Sequence, residues 1–144
     1  MFAPPRIATY DAPHIEGVKA LWAQAFPNPQ AWNAPEFTIA AKCALQPELF
    51  IVALDGERVI GTAMGGYDGH RGWLYAIAVL KTYRRKGVGT ALVREVERRL
   101  IATGCIKINL QVHATNAEVA AFYGRLGYGV EDRISMGKRV GKFA

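Results

Sequence analysis

The sequence predicts a mixed α/β (α+β) fold, with helices packed on a largely antiparallel sheet that holds one parallel strand pair. Three observations lead to it. The first is the order of hydrophobic patterns: strand, two helices, three strands, helix, strand, helix, two strands. The second is a helix, Thr90–Ala102, placed between the strands Trp73–Val79 and Ile106–His113. Those two strands are expected to be parallel, joined by a right-handed crossover through the helix. The third is size and composition. The chain has 144 residues, 51% hydrophobic and 21% charged. That suits one domain over residues 1–144 and excludes a disordered chain.

Each element has its own signal. Arg6–Tyr10 reads as a first strand. Asp11 then offers an N-cap before Ala12-Pro13, with proline in the first helical turn. Ile15, Val18, Leu21, Trp22, Ala25 and Phe26 follow at three- and four-residue spacing, as in an amphipathic helix. The segment from Pro27 to Asn33 breaks it. A second helix is expected over Pro35–Leu45, with Asn33 as its cap. Leu49–Leu54 is a strand, Asp55-Gly56 a two-residue hairpin turn and Val59–Tyr67 the return strand. Gly61, Gly65 and Gly66 weaken the regularity of that return. After a turn at Asp68–Gly72, Trp73–Val79 is the most apolar strand and is expected at the centre of the sheet. Lys81–Gly89 is a loop, and Leu92, Val96 and Leu100 mark the crossover helix, with Gly104 just past its end. Asn116 caps a last helix through Leu126, which Gly127 ends. Tyr128–Val140 is expected to form a final strand pair.

Several classes are excluded early. The longest apolar run, Trp73–Leu80, is far short of the roughly 20 residues of a membrane span. Met1–Arg6 shows no apolar leader. Cys43 and Cys105 are too few for a disulfide framework and make no metal motif. A reducing cytoplasm is therefore the expected location. The net charge is +6, and Lys81–Arg99 alone holds seven basic groups against two acidic ones. A basic knot of this kind marks one phosphate site more often than a nucleic-acid face. The knot contains Arg84-Arg85-Lys86-Gly87-Val88-Gly89-Thr90-Ala91, between the apolar strand and the crossover helix. Glycine allows close backbone approach to an anion. The first turn of a helix adds unpaired N–H groups and the positive end of the dipole. The dinucleotide pattern fails here because Leu92 stands where its third glycine should be, and no P-loop run exists.

These residues resemble the GNAT superfamily of N-acetyltransferases. Its signature Arg/Gln-x-x-Gly-x-Gly/Ala stands as Arg84-Arg85-Lys86-Gly87-Val88-Gly89, preceded by Tyr75-Ala76-Ile77-Ala78-Val79. Asn116, Ala120, Phe122-Tyr123 and Leu126-Gly127-Tyr128 look like its second motif. The run Met64–Gly72 further resembles a bacterial subgroup, the YpeA-type acetyltransferases. The resemblance implies helices on both faces of the sheet, a parallel pair that splays open, and acetyl transfer from acetyl-CoA to an amine. By the same likeness the pyrophosphate would sit on the Arg84–Thr90 segment, on the N–H groups from Arg85 to Thr90. The strand residues Ile77, Ala78 and Val79 would meet the pantetheine arm, through main-chain groups of Ile77 and Val79. Asn116 would contact that arm, and Tyr123 would bind beside the sulfur and protonate the leaving thiolate. Taken alone, Tyr123 reads more readily as a helix aromatic packed in the core beside Phe122.

The general base is less legible. Some members carry a glutamate on the strand before the asparagine motif, and here that position is Gln111. Asn109, Gln111 and His113 would share one polar face of the strand, lining the acceptor cleft or facing solvent. His113, His70, Asp68 and Glu36 remain candidate bases. An α-amine needs far less help than a lysine at neutral pH, so a missing carboxylate points to a low-pKa amine or to a water-relayed base. Trp32, in the loop from Pro27 to Pro35, either stacks on the acceptor or covers the core. The acceptor is expected to be a small-molecule amine or a peptide N-terminus. Neither nucleic acid nor membrane is expected as a partner, and the resemblance suggests a homodimer. The competing reading is a non-catalytic acyl-CoA-binding sensor on the same fold.

Overall fold

The computed structural model describes residues 4–144, so the reading of a missing leader rests partly on residues outside that range. The described chain falls into a larger unit ending at Leu110 and a smaller one starting at Gln111. The larger unit holds a five-stranded sheet in the order β1-β2-β3-β4-β5. Its strands are β1 (Arg6–Thr9), β2 (Phe50–Asp55), β3 (Arg58–Tyr67), β4 (Gly72–Val79) and β5 (Ile108–Leu110). Its helices are α1 (Ile15–Ala25), α2 (Pro35–Ala44) and α3 (Val88–Ala102). Every neighbouring pair is antiparallel except β4 and β5. No helix among the described residues is long and apolar enough to cross a membrane.

The middle strand is β3, which corrects the expectation that Trp73–Val79 would lie there. Hydrophobicity cannot order strands, and β4 is apolar for another reason. Leu74 and Ala78 are buried, whereas Trp73 and Tyr75 are 38% and 42% exposed. In β2 and β3 nearly every side chain is buried, so helices cover both faces there. On one face, Trp22 of α1 donates its indole N–H to Thr62 Oγ1 at 2.9 Å. On the other, Gly61 and Gly65 admit α3. A Cβ on Gly61 would lie 2.8 Å from Leu92 Cδ1, and one on Gly65 would lie 2.6 Å from Val96 Cγ1. These glycines interrupt no strand; they remove side chains where a helix approaches closely.

The caps explain most boundaries. Asp11 and His14 form a reciprocal box around the short turn Ala12–His14, which leads into α1. Ala34, rather than Asn33, occupies the N-cap of α2; Asn33 closes the preceding turn Ala31–Asn33, and Pro35 starts the helix. The β2–β3 turn centres on Gly56 and Glu57, one residue later than expected, because Asp55 still pairs with Arg58. Gly56 takes φ +60°, which suits a hairpin with glycine first. Helix α3 begins at Val88, two residues early, because Gly87 at φ +80° ends the loop and Val88 is buried. At its other end Cys105 N–H donates to Leu100 O and Gly104 N–H to Ile101 O, with Gly104 left-handed. That is a Schellman motif. Gln46 clamps the end of β3: its side-chain amide exchanges two hydrogen bonds, 2.9 and 3.0 Å, with the Tyr67 backbone.

Strand β5 is three residues long, against the eight expected for Ile106–His113. Its pairing with β4 covers only Gly72–Leu74 against Ile108–Leu110. The parallel orientation stands, and the pairing ends at Leu74 and Leu110.

In the smaller unit, α4 (Ala117–Arg125) is capped by Asn116, whose Oδ1 accepts from Val119 N–H at 3.2 Å. Gly127, at φ +98°, ends it. Tyr128 N–H donates to Tyr123 O and Gly127 N–H to Gly124 O, a second Schellman motif. The rings of Tyr123 and Tyr128 meet edge to face at 5.9 Å, the apolar contact that this motif favours. The expected strand pair over Tyr128–Val140 is absent from the described residues. Its alternation of Val130, Ile134, Met136 and Val140 finds no ladder, and all four are 72% exposed or more. Alternation alone does not hold a strand; cross-strand pairing does.

Candidate active site

The loop from β4 to α3 has main-chain geometry that suits an anion. Arg85 and Gly87 both take left-handed backbone, φ +61° and +80°. Successive left- and right-handed residues point their N–H groups into a common hollow. The N–H of Ala91 already donates to Gly87 O. Those of Gly87, Val88, Gly89 and Thr90 precede the first intrahelical bond and face out of the helix end. The entry to the loop is fixed on two sides. Lys81 N–H donates to Gln24 Oε1 at 2.8 Å, and Tyr83 Oη donates to Asp55 Oδ2 at 2.5 Å. That bond to Asp55 holds the Tyr83 phenol above its ordinary pKa. The Arg58 guanidinium also lies 5.7 Å from the Tyr83 ring centroid.

The basic knot is narrower than its sequence count. Arg94 pairs with Glu97, while Arg98 and Arg99 both pair with Glu95. The bond from Arg98 is the main reason the Glu95 carboxyl sits below its usual range. Arg99 also donates to Thr9 Oγ1 and Glu48 O, tying α3 to the edge of the sheet. Lys81, Arg84, Arg85 and Lys86 are all exposed beside the helix end. Arg84 turns its Nε to Val79 O at 3.4 Å.

Beyond Leu74, β4 pairs with β3 alone among the described residues. Ala78 faces Thr62, and Leu80 N–H donates to Ile60 O, so both direct their main chain toward β3. By alternation Ile77 and Val79 direct theirs away from β3. A bulge sits at this point: the register shifts opposite Ala63, and Ala76 adopts φ +53°. Thr62 Oγ1 donates to Ala76 O at 3.0 Å while accepting from Trp22, which pins the bulge to α1. Sequence reading missed this network; a threonine inside an apolar strand was its only signal.

The smaller unit carries the other expected residues. Tyr123 is 8% exposed, and burial pushes its phenol up to about 12. Phe122 meets it edge to face at 5.0 Å. Gln111 and His113 lie past the end of β5, so the expected polar strand face does not form. Both are exposed: Gln111 Nε2 donates to Ser135 Oγ at 2.5 Å, and His113 Nδ1 lies 2.8 Å from Thr115 Oγ1. Asn116 spends its side-chain oxygen on the α4 cap.

Two candidate bases are already engaged. Asp68 accepts the backbone N–H groups of Arg71 and His70 at 2.7 Å each, and these bonds, Arg71's foremost, hold its carboxyl below the usual range. Glu36 is lowered first by its own backbone N–H and then by Lys19, at 3.1 Å. Trp32 is half-buried in the Ala31–Asn33 turn. Near it an open groove of about 350 Å³ runs between α1 and the start of α2, with Trp22, Phe26, Pro27, Pro29 and Pro35 among its walls. Trp32 is not one of them.

Comparison with known proteins agrees with this architecture. Residues 15–128 match the acetyltransferase (GNAT) family. An acetyltransferase of Yersinia pestis is 44% identical over 109 residues, 76% of this chain and 77% of that one. An acetyltransferase of Pectobacterium atrosepticum is 41% identical over 126 residues, 88% and 89% of the two chains. Among solved structures, Ard1 from Thermoplasma volcanium superposes with a TM-score of 0.79 at 22% identity, covering 90% of this chain and 85% of that one. The aminoglycoside N-acetyltransferase AAC(6')-Iy in complex with CoA gives 0.78 at 19% identity, covering 96% and 97%. At such identities these two structures speak for the fold.

Proposed function

The chain belongs to the GNAT acetyltransferase family, and from that premise we propose that it transfers an acetyl group from acetyl-CoA to a primary amine. One observation carries the cofactor part of the reading. The cradle at Arg85–Thr90 lies at the end of a strand whose Ile77 and Val79 main-chain groups have no strand partner among the described residues. A pyrophosphate suits the first and an amide-bearing arm suits the second. Arg84, Arg85 and Lys86 add charge around the same hollow.

Acetyl-CoA supplies an activated thioester; the chain's residues bind, orient and move protons. The N–H groups of Gly87–Thr90 hold the diphosphate. Ile77 and Val79 align the arm as an added strand would. Asn116 assists the arm through its amide. Tyr123 donates a proton to the departing sulfur, a role for which a phenol protonated throughout the neutral range is suited. Attack requires a neutral amine. With Gln111 unable to accept a proton, Asp68 and Glu36 engaged, and only His70 and His113 left as candidate bases, an acceptor of low pKa is favoured, such as the α-amine of a peptide or small molecule.

Calorimetric titration with CoA tests the cradle, repeated with dephospho-CoA and with Gly87→Val. A β-branched residue is strained at φ +80°, while its Cβ would meet open space, so the core should survive. We expect saturable binding that weakens about tenfold or more in the variant. Equal affinity in wild type and variant would remove the cradle from the binding site.

A further inference from the structure

One charged group lies outside this scheme. α2 turns Ile39 and Lys42 inward, and Lys42 is only 6% exposed. Its ammonium donates to Gly65 O at 2.5 Å and lies 5.6 Å from the centroid of the Tyr75 ring. No carboxylate among the described residues comes within ion-pair distance of it; Glu48 acts only from further off. Burial lowers the affinity of this amine for its proton. An ammonium kept out of water with one carbonyl and one ring face is costly to maintain. Packing alone would be served as well by methionine or leucine.

Its position gives the charge a use. The diphosphate cradle follows the C-terminal end of β4, so an arm running back along Val79 and Ile77 brings its acyl end to Ala76 and Tyr75. Gly72 and Leu74 face α3, and a Cβ on Gly72 would meet Leu100 and Cys105. By alternation Trp73 and Tyr75 lie on the opposite face, both partly exposed, with Lys42 against Tyr75. The acceptor approaching the acyl group from that face meets an aromatic surface with a positive charge behind it.

We propose that Lys42 determines acceptor specificity, favouring amines that carry a carboxylate a few bonds from the nitrogen and disfavouring polycationic amines. The inference rests on the acetyl-CoA reading above and names its acceptor class. Poorly hydrated surroundings strengthen both the attraction and the repulsion. The Tyr75 face supplies apolar contact for the rest of the acceptor.

The test uses a dipeptide with a free C-terminal carboxylate, the same dipeptide amidated, and spermidine. Their α-amines differ little between the two dipeptides, so the carboxylate is the variable. Binding to the CoA-saturated protein is measured by calorimetry, and turnover with acetyl-CoA is measured separately. Wild type should favour the carboxylate form about tenfold in kcat/KM and reject spermidine. Lys42→Met should bring the dipeptide ratio within about twofold, and Lys42→Arg should retain most of it. A merely structural lysine would change both dipeptides equally and leave the ratio intact, which would overturn the proposal. So would a wild-type ratio near one, a preference for spermidine, or CoA binding with no dipeptide bound or acetylated. The wild-type ratio decides even if Lys42→Met fails to fold. Absence of CoA binding would instead defeat the cofactor reading, and the specificity assignment with it.

Discussion

Tyr123→Phe is expected to lower kcat about a hundredfold or more while leaving CoA affinity within about twofold. The substitution removes one oxygen and keeps the ring. The ring is what the fold uses: it meets Phe122 and Tyr128 edge to face, and the backbone carbonyl of Tyr123 closes the α4 cap. None of these contacts involves the hydroxyl, so the loss in stability should stay near 1 kcal/mol or below. In the proposed reaction the hydroxyl is the proton donor. Burial holds its pKa at about 12, so the proton stays on oxygen through the neutral and mildly alkaline range. A donor in that state can stabilise negative charge on sulfur as the thioester bond breaks. General acid groups of this kind contribute about 10²–10⁴ in rate. Equal losses in kcat and kcat/KM would identify an interaction made only in the transition state. An unchanged kcat would leave Tyr123 as a packed aromatic and nothing more.

Gly65→Val should destabilise the protein by about 3 kcal/mol, read from urea unfolding, and should weaken CoA binding as a consequence. A Cβ at Gly65 would stand 2.6 Å from Val96 Cγ1 and 3.5 Å from both Leu100 Cδ1 and Trp73 O. Val96 and Leu100 are fully buried on α3, and Val96 is stiff at its first side-chain torsion. Neither can give way by moving into solvent, so the helix itself must shift. Its first turn is half of the proposed diphosphate site, hence the second effect. Gly66→Ala is the control. Its Cβ would meet Tyr75 Oη at 3.6 Å, an ordinary contact, and should cost under about 1 kcal/mol. Similar losses at the two positions would mean that α3 does not depend on the missing side chain.

Much of the larger unit was legible because its elements repeat at the right period and end at recognisable caps. Asp11, Pro35, Gly104 and Asn116 each stand at or next to a boundary that the structure shows. What periodicity cannot supply is adjacency. The apolar run in β4 suggested a central strand, yet Trp73 and Tyr75 are partly exposed and β3 takes the middle. Gly61 and Gly65 looked like defects until the helix above them was seen. The net +5 of Lys81–Arg99 concealed ion pairs at three- and four-residue spacing, a pattern that was readable in principle. Lys42 was not readable, since a lysine on a helix gives no hint of burial. The strand pair expected after Tyr128 failed because alternation was judged without a partner strand.

The central claim is acetyl transfer from acetyl-CoA to an amine, and release of free CoA thiol tests it most directly. Incubated with acetyl-CoA and a panel of peptide α-amines and small amines, the protein should release thiol only when an accepted amine is present. Each thiol should be matched by one N-acetylated product, and Tyr123→Phe should slow both together. Tight binding of acetyl-CoA with no thiol released on any amine would contradict the account and leave an acyl-CoA sensor in its place.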